Sequence, residues 1–206
     1  SLLSNTEKLT KKAQRGLSAK QAMAREYTEA DRSPVFPANG NRDPNDADYQ
    51  KMAKNGFADW KLEIGGLAEK PASFTLAELQ QMPSRTQTTR HDCVEGWSAI
   101  GSWQGVRLAD FLKRIGADTR AKYVWFGCAE GYSNTIDMAT ALHPQTQLTF
   151  KFADAILPRK YGYPMKCRMP TKLGFKNPKH IIALYVQNND AGGYWENQGY
   201  NWFSGL

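Results

Sequence analysis

The segment from Ala155 to Asn189 constrains this chain more than any other. It holds seven bases, Arg159, Lys160, Lys166, Arg168, Lys172, Lys176 and Lys179, and no acid. Pro164, Pro170 and Pro178 interrupt it at short intervals. A proline inside a helix removes a hydrogen bond and clashes with the preceding turn, so the segment cannot be one basic helix. It reads instead as loop, strand and loop. The chain has 27 Lys+Arg against 20 Asp+Glu, and its net charge of +7 equals the excess in this one segment. Charge of this kind asks for an anionic partner: a nucleic acid, a membrane surface or a phosphorylated ligand. Within it, Gly174 lies among Lys172, Lys176 and Lys179. Glycine lets backbone N–H groups approach an anion while lysines neutralise it, an arrangement suited to phosphate. Nucleic-acid patches more often interleave stacking aromatics or form a basic helix. On this segment alone, phosphate and nucleic acid both stay open.

With 206 residues, 41% hydrophobic and 23% charged, the chain is long and apolar enough to fold as one large domain and is not a disordered chain. No apolar run approaches the roughly 20 residues that span a bilayer, so no direct membrane insertion is expected. Residues 1–33 are polar and read as an N-terminal arm, with a helix expected from Ser18 to Tyr27. Pro34 and Pro37 break any helix there, and 38–44 reads as a loop. The domain proper is expected over 34–206.

Trp60, Leu62 and Ile64 alternate with charged residues, which predicts a half-buried strand ending at Gly65-Gly66. Thr75 and Glu78 form a capping box for a short helix that Pro83 stops. Strands are expected at Arg85–Cys93, Tyr123–Cys128, Leu148–Phe152, Met165–Met169 and Ile181–Val186. Leu108, Phe111, Leu112 and Ile115 share one helical face, with Gly116 as the stop. Asp137 can cap a short helix. Strands and short helices mix without a βαβ rhythm, so the fold class is α+β.

Three cysteines, Cys93, Cys128 and Cys167, show no CxxC and no paired spacing, which argues against a disulfide framework. Three scattered histidines supply no zinc motif. The local oddity is Arg90-His91-Asp92-Cys93-Val94-Glu95-Gly96-Trp97-Ser98. A cysteine that leaves a strand into a glycine-containing turn can project into a cleft. If Arg90 and His91 are near it in space, their charge would favour the thiolate that binds metals or attacks.

These two signals fit one known pattern. The chain resembles the molybdopterin-binding domain of the sulfite oxidase superfamily, in the bacterial branch that includes periplasmic methionine sulfoxide reductase catalytic subunits. The resemblance covers 34–206 and rests on Cys93-Val-Glu-Gly-Trp97-Ser98, Trp103-Gln-Gly-Val-Arg-Leu-Ala-Asp-Phe-Leu112, Tyr123-Val-Trp-Phe126 and Glu130-Gly-Tyr132. It continues through Leu142-His-Pro144, Leu157-Pro158, Gly174-Phe-Lys-Asn-Pro-Lys179, Gly193-Tyr-Trp-Glu196 and Gly199-Tyr-Asn-Trp202.

The resemblance implies a sulfite-oxidase-type fold of mixed sheets with short helices. It implies one molybdopterin carrying molybdenum (or tungsten), with Cys93 as the metal ligand; a soft thiolate suits such a metal. By the same resemblance Lys176, Asn177, Pro178 and Lys179 hold the pterin and its phosphate, which accounts for the acid-free segment without nucleic acid. Asn39 and Asn41 match a cofactor-binding loop. Cys128, Tyr161 and Lys166 occupy places that relatives direct at the cofactor. Glu95, Tyr132 and Arg90 are expected to face the open metal position.

Sulfite oxidases follow the cysteine with an Asn-Arg-Arg type run that supplies cations for a dianion. Here Val94-Glu95-Gly96 follows instead, so an acid lies beside the metal and a neutral or zwitterionic substrate is favoured. Residues 127–140 are short relative to the reductase, which leaves the substrate open. The implied activity is oxygen-atom transfer, reducing a small S-oxide or N-oxide. Oxidation of a sulfur compound and a non-catalytic molybdopterin carrier are the alternatives. With no cytochrome module in these residues, the electrons are expected from a separate protein, a haem membrane subunit or a cytochrome. The family's habit is periplasmic.

Overall fold

The computed structural model describes residues 22–69, 73–194, 196–202 and 204–205. The chain folds into two five-stranded sheets with short helices at their margins. In the first sheet the order is β2 (Ser73–Thr75), β1 (Lys61–Gly66), β10 (Ile181–Gln187), β5 (Tyr123–Cys128) and β6 (Ser133–Asp137). β1 and β10 run parallel and the other pairs antiparallel, so this sheet is mixed. The second is antiparallel: β3 (Arg85–Asp92), β4 (Ser98–Arg107), β7 (Gln147–Phe152) and β8 (Ala155–Ile156), with β9 (Lys166–Arg168) also paired to β7.

Local chemistry explains most elements. In β1, Leu62 and Ile64 point inward while Lys61 and Glu63 stay exposed, the alternation of a strand covered on one face. The capping box forms as expected. The Thr75 hydroxyl accepts from the Glu78 N–H at 3.2 Å and the Glu78 carboxylate accepts from the Thr75 N–H at 2.7 Å. Helix α2 (Leu76–Gln80) follows from it. α3 (Leu108–Arg114) buries Leu108, Phe111 and Leu112, and Gly116 leaves it at φ +63°. Asp137 caps α4 (Met138–Ala141) through the Thr140 N–H at 2.8 Å.

Three features depart from the sequence reading. The helix expected from Ser18 to Tyr27 does not occur over 22–27, which are extended; residues 18–21 lie outside the described residues. Glu26 bridges Thr89 and the Tyr27 N–H donates to the Thr88 carbonyl at 2.8 Å, so pairing against β3 outweighs a weak local helix preference. Strand β4 has no sequence signal because Gly101 and Gly105 break its pattern. At Gly101 a Cβ would lie 2.7 Å from the Phe152 ring and 3.0 Å from Phe36, so only glycine admits both rings. Helix α1 (Ala47–Lys54) buries only Tyr49, too little for an apolar stripe; Asp46 starts it by accepting from the Tyr49 N–H at 2.8 Å.

The core lies between the sheets. Leu62, Val124, Phe126 and Leu184 from the first meet Val106, Leu148 and Phe150 from the second and the buried face of α3. A smaller cluster, Trp103, Leu157 and Tyr161, gathers Phe36 and Phe152, and Tyr163 packs against both clusters. Phe36 is the hub of the smaller one, 5.3 Å from Trp103 and Phe152 and 5.5 Å from Tyr161. That anchor fixes where the following loop, 39–41, crosses the molecule. Among the described residues no helix is long and apolar enough to cross a membrane.

Candidate functional site

β3 delivers Cys93 into a tight turn. The Cys93 N–H donates to the Trp97 carbonyl at 2.9 Å, and the Gly96 N–H donates to the Cys93 carbonyl at 3.0 Å. Gly96 sits at φ +89°, which glycine adopts without steric cost. The turn holds Cys93 at the wall of a cleft of about 530 Å³. Three other pieces complete it: the 39–41 loop, the turn from β5 to β6 at Ala129, Glu130 and Tyr132, and the segment from Gly174 to His180. Tyr194 and Tyr200 stand on its rim.

Cys93 is 7% exposed, and burial pushes its thiol up from the usual range; N–H groups of Glu95 and Val94 oppose this. Arg90 and His91 do not enter that balance. Successive residues of a strand face opposite sides. The Arg90 guanidinium therefore turns outward to Asp92, at 3.0 Å, and His91 turns inward. Burial and the Arg168 charge push His91 down to about 2, so it is neutral and lends no cationic character to the thiol. The activation expected from neighbouring cations is not built here.

The cations of the acid-free segment divide into two groups. Lys166 is 2% exposed, stands 5.7 Å over the Trp103 ring, and is pushed well down by burial and by Lys179 and Arg168. Lys179 is pushed down to about 8 by burial and Arg42; it donates to the Asn39 carbonyl at 2.6 Å, the Lys160 carbonyl at 3.2 Å and the Asn41 carbonyl. Among the described residues neither has a carboxylate partner. Arg168, wholly buried, donates to Thr89 Oγ1 at 3.1 Å and the Arg90 carbonyl at 2.7 Å, and burial takes it down to about 9. Lys176 belongs to the other group: its ammonium pairs with Glu196 and donates to the Thr135 carbonyl at 3.1 Å.

Of the residues singled out in the sequence, Asn39, Asn41, Cys93, Glu95, Tyr132, Asn177 and Lys179 line this one cleft. The others lie elsewhere. Arg90 borders a separate groove of about 280 Å³ with Arg25, Tyr27 and Asp92. Cys128 packs in the main core, its thiol pushed up by burial. Tyr161 sits in the aromatic cluster and donates to the Phe36 carbonyl at 2.5 Å. Lys166 lies over Trp103, Lys176 pairs with Glu196, and the Pro178 carbonyl accepts from the Cys167 N–H at 3.0 Å. Trp195, within the Gly193–Glu196 stretch that carries part of the resemblance, lies outside the described residues.

Sequence reasoning gave no site role to Glu130 and His180 in the wall or to Arg168 behind it, whereas Gly174, read as admitting an anion, does line the cleft. Glu130 is left-handed at φ +63° and its carboxylate accepts from Asn41 Nδ2 and the Asn45 N–H, which ties the 39–41 loop across the cleft. The Glu130-Gly131 pair after an apolar strand signals a turn, but only the fold reveals its partner.

A cluster of buried cations without counter-charge is expensive, and an anion supplies what the protein withholds. The phosphate of a molybdopterin meets that requirement, and the Cys93 thiol in the same cleft suits a soft metal. Among the described residues no group of three or more His, Cys, Asp or Glu could hold a metal ion.

Comparison with known proteins gives the same answer. The family described as oxidoreductase molybdopterin binding domain matches residues 49–195. The chain is 60% identical over 148 residues to the putative protein-methionine-sulfoxide reductase subunit YedZ1 of Azospira oryzae, covering 72% of this chain and 56% of that protein. It is 33% identical over 154 residues to the protein-methionine-sulfoxide reductase catalytic subunit MsrP of Xanthomonas axonopodis pv. citri, covering 66% and 48%. The chain thus spans about half the length of the curated relatives it matches. The sulfane dehydrogenase SoxCD of Paracoccus pantotrophus shares the fold, with a TM-score of 0.59 and 22% identity over 64% of this chain and 39% of that one. From the match over most of its length, and with the Cys93 thiol and the Lys179 ammonium lining one cleft, the chain belongs to the oxidoreductase molybdopterin-binding domain family, in the sulfite oxidase superfamily.

Proposed function

We propose that residues 34–206 form the cofactor-holding domain of a molybdenum enzyme that transfers an oxygen atom, reducing a small S-oxide or N-oxide. The observation that carries this is the shared cleft: Cys93 on one wall and Lys179 on another, with Lys166 and Lys179 lacking carboxylate partners among the described residues. When bound, the cofactor supplies the two-electron oxygen-transfer chemistry, and the protein supplies ligation, orientation and electrostatics. Cys93 Sγ would serve as the metal ligand in its thiolate form, and because burial raises its pKa, metal binding there would be favoured by rising pH. Asn39, Asn177 and Lys179 hold the organic part, with the buried Lys166 behind them.

Glu95 sets the substrate's charge. It lines the cleft beside Cys93 and accepts from Trp97 Nε1 at 3.1 Å. A carboxylate there repels a dianion such as sulfite, whereas a neutral sulfoxide or N-oxide meets no such barrier. Val94, Tyr132, Phe175, Tyr194 and Tyr200 give the cleft an apolar and aromatic lining, which favours a thioether-derived side chain. The names of the curated relatives point to methionine sulfoxide. In this reading a separate haem subunit or cytochrome delivers the electrons, and the protein works in the periplasm.

The test is protein purified from a molybdate-fed host, expected to carry about one molybdenum per chain with releasable pterin. Reduced-dye oxidation should proceed with methionine sulfoxide, dimethyl sulfoxide or trimethylamine N-oxide. Cys93→Ser should abolish it. Full activity in Cys93→Ser would remove the proposed role of the thiol, and loading without turnover would leave a carrier.

A further inference from the structure

His91 is a titratable side chain beside the cleft that the proposed function leaves idle. Its ring is 1% exposed and held on two sides: Trp97 stacks on it at 5.5 Å and 28°, and Phe36 lies 5.6 Å away. On its inner edge Arg168 Nη1 approaches Nδ1 at 3.3 Å. A guanidinium can only donate, so Nδ1 accepts and the ring proton resides on Nε2. That Nε2–H is buried and has no hydrogen-bond partner among the described residues. A buried donor left unpaired costs free energy comparable to a lost hydrogen bond, and such groups are rare without a ligand or water to complete them.

The orphan proton faces an identifiable point. A Cβ built on Gly174 would lie 2.5 Å from His91 Nε2 and 3.0 Å from Asn39 Nδ2. Gly174 and Asn39 both line the cleft. Asn39 Nδ2 makes no hydrogen bond to any described residue. Two N–H donors therefore converge on space that exists only because residue 174 has no side chain. An acceptor atom seated a few tenths of an ångström farther from the imidazole lies within hydrogen-bond reach of both.

The geometry points to His91 as a cofactor-positioning residue: its Nε2–H and the Asn39 amide together grip one acceptor oxygen or nitrogen of the bound molybdopterin above Gly174. This rests on the proposed function, since it takes the ligand of the cleft to be that cofactor. Arg168 sets the tautomer, and Trp97, from the same turn as Cys93, sets the ring's orientation. The grip is thereby tied to the metal-binding turn, and the cofactor's two ends are registered against each other.

Substitutions separate this from a merely structural role. His91→Gln can place an amide N–H at the position of Nε2. His91→Asn can replace only Nδ1 and so keeps the contact to Arg168 without the donor. His91→Leu keeps neither. Each is produced in a molybdate-fed host, dialysed, and assayed for molybdenum per chain and for fluorescence of released, oxidised pterin; melting of the cofactor-free forms monitors folding. The expected result is retention by wild type and His91→Gln, with roughly tenfold faster loss of both metal and pterin from His91→Asn and His91→Leu. Retention by His91→Asn equal to wild type, or loss from His91→Gln equal to His91→Leu, overturns the assignment. Wild-type protein carrying neither molybdenum nor pterin would instead bring down the proposed function, and this inference with it.

Discussion

Replacing one partner of the Lys176–Glu196 pair tests how the cations of the acid-free segment are divided. Both side chains are buried, 2% and 7% exposed. The ammonium donates also to the Thr135 carbonyl at 3.1 Å and stands 5.1 Å from the Trp202 ring. Burial lowers the Lys176 pKa more than Glu196 raises it, so the desolvation cost of the charge exceeds the attraction that the pair returns. Such a pair fixes geometry, here the seat of the C-terminal segment over β6, more than it stabilises. Glu196→Leu strands the ammonium and Lys176→Met strands the carboxylate; each should cost about 3–5 kcal/mol. For a chain of this length that lowers Tm by about 6–20 °C. The double variant Lys176→Met/Glu196→Leu should recover most of the loss, because no unpaired charge remains. Denaturant and thermal unfolding of the cofactor-free protein, analysed as a double-mutant cycle, measures this. Single variants within about 0.5 kcal/mol of wild type would refute the reasoning, as would a double variant whose loss equals the sum of the two.

Three further outcomes are expected. His180 is neutral in the folded chain, pushed down to about 4 by burial although its ring nitrogen meets the Arg159 carbonyl at 2.7 Å. The unfolded chain, with an ordinary histidine near 6.5, binds the extra proton first, so stability is full above about pH 6.5 and falls through pH 4. The loss is about 3 kcal/mol from this residue, His91 and His143 shift in the same direction, and pH-dependent urea unfolding with His180→Asn flattening the slope would check it. Thr75→Ala removes the capping box of α2 and should cost about 1 kcal/mol in urea unfolding, with no change in molybdenum content. Gly174→Ala fills the space between His91 and Asn39, and molybdenum per chain should drop at least severalfold while far-UV circular dichroism stays native.

Elements governed by a few neighbouring residues were legible in the sequence. The capping box at Thr75, the alternation in β1 and the single apolar face of α3 each act within one or two turns of chain, and each appears where expected. β4 was invisible because Gly101 is chosen by the rings of Phe36 and Phe152, residues more than forty positions from it on either side, and Gly105 by the backbone of Leu148 and Thr149 on β7. The extended course of 22–27 was misread for the same reason: its partner is β3.

The site divides along that line too. Cys93 in its turn and the acid-free run of bases stood out by chemistry alone, and with the resemblance they named the cofactor. Spacing could not say which bases face the cleft and which serve the protein itself. Lys176 and Lys179 are three residues apart, yet one meets a carboxylate brought from the C-terminal segment and the other meets backbone carbonyls of the 39–41 loop. Likewise Arg90 and His91 adjoin the thiol in sequence, but the strand turns them to opposite faces. The kind of chemistry available is written in residue types, which are local. Which charges go unpaired, and so which ligand the chain needs, depends on contacts among distant segments and was decided only when the chain closed on itself.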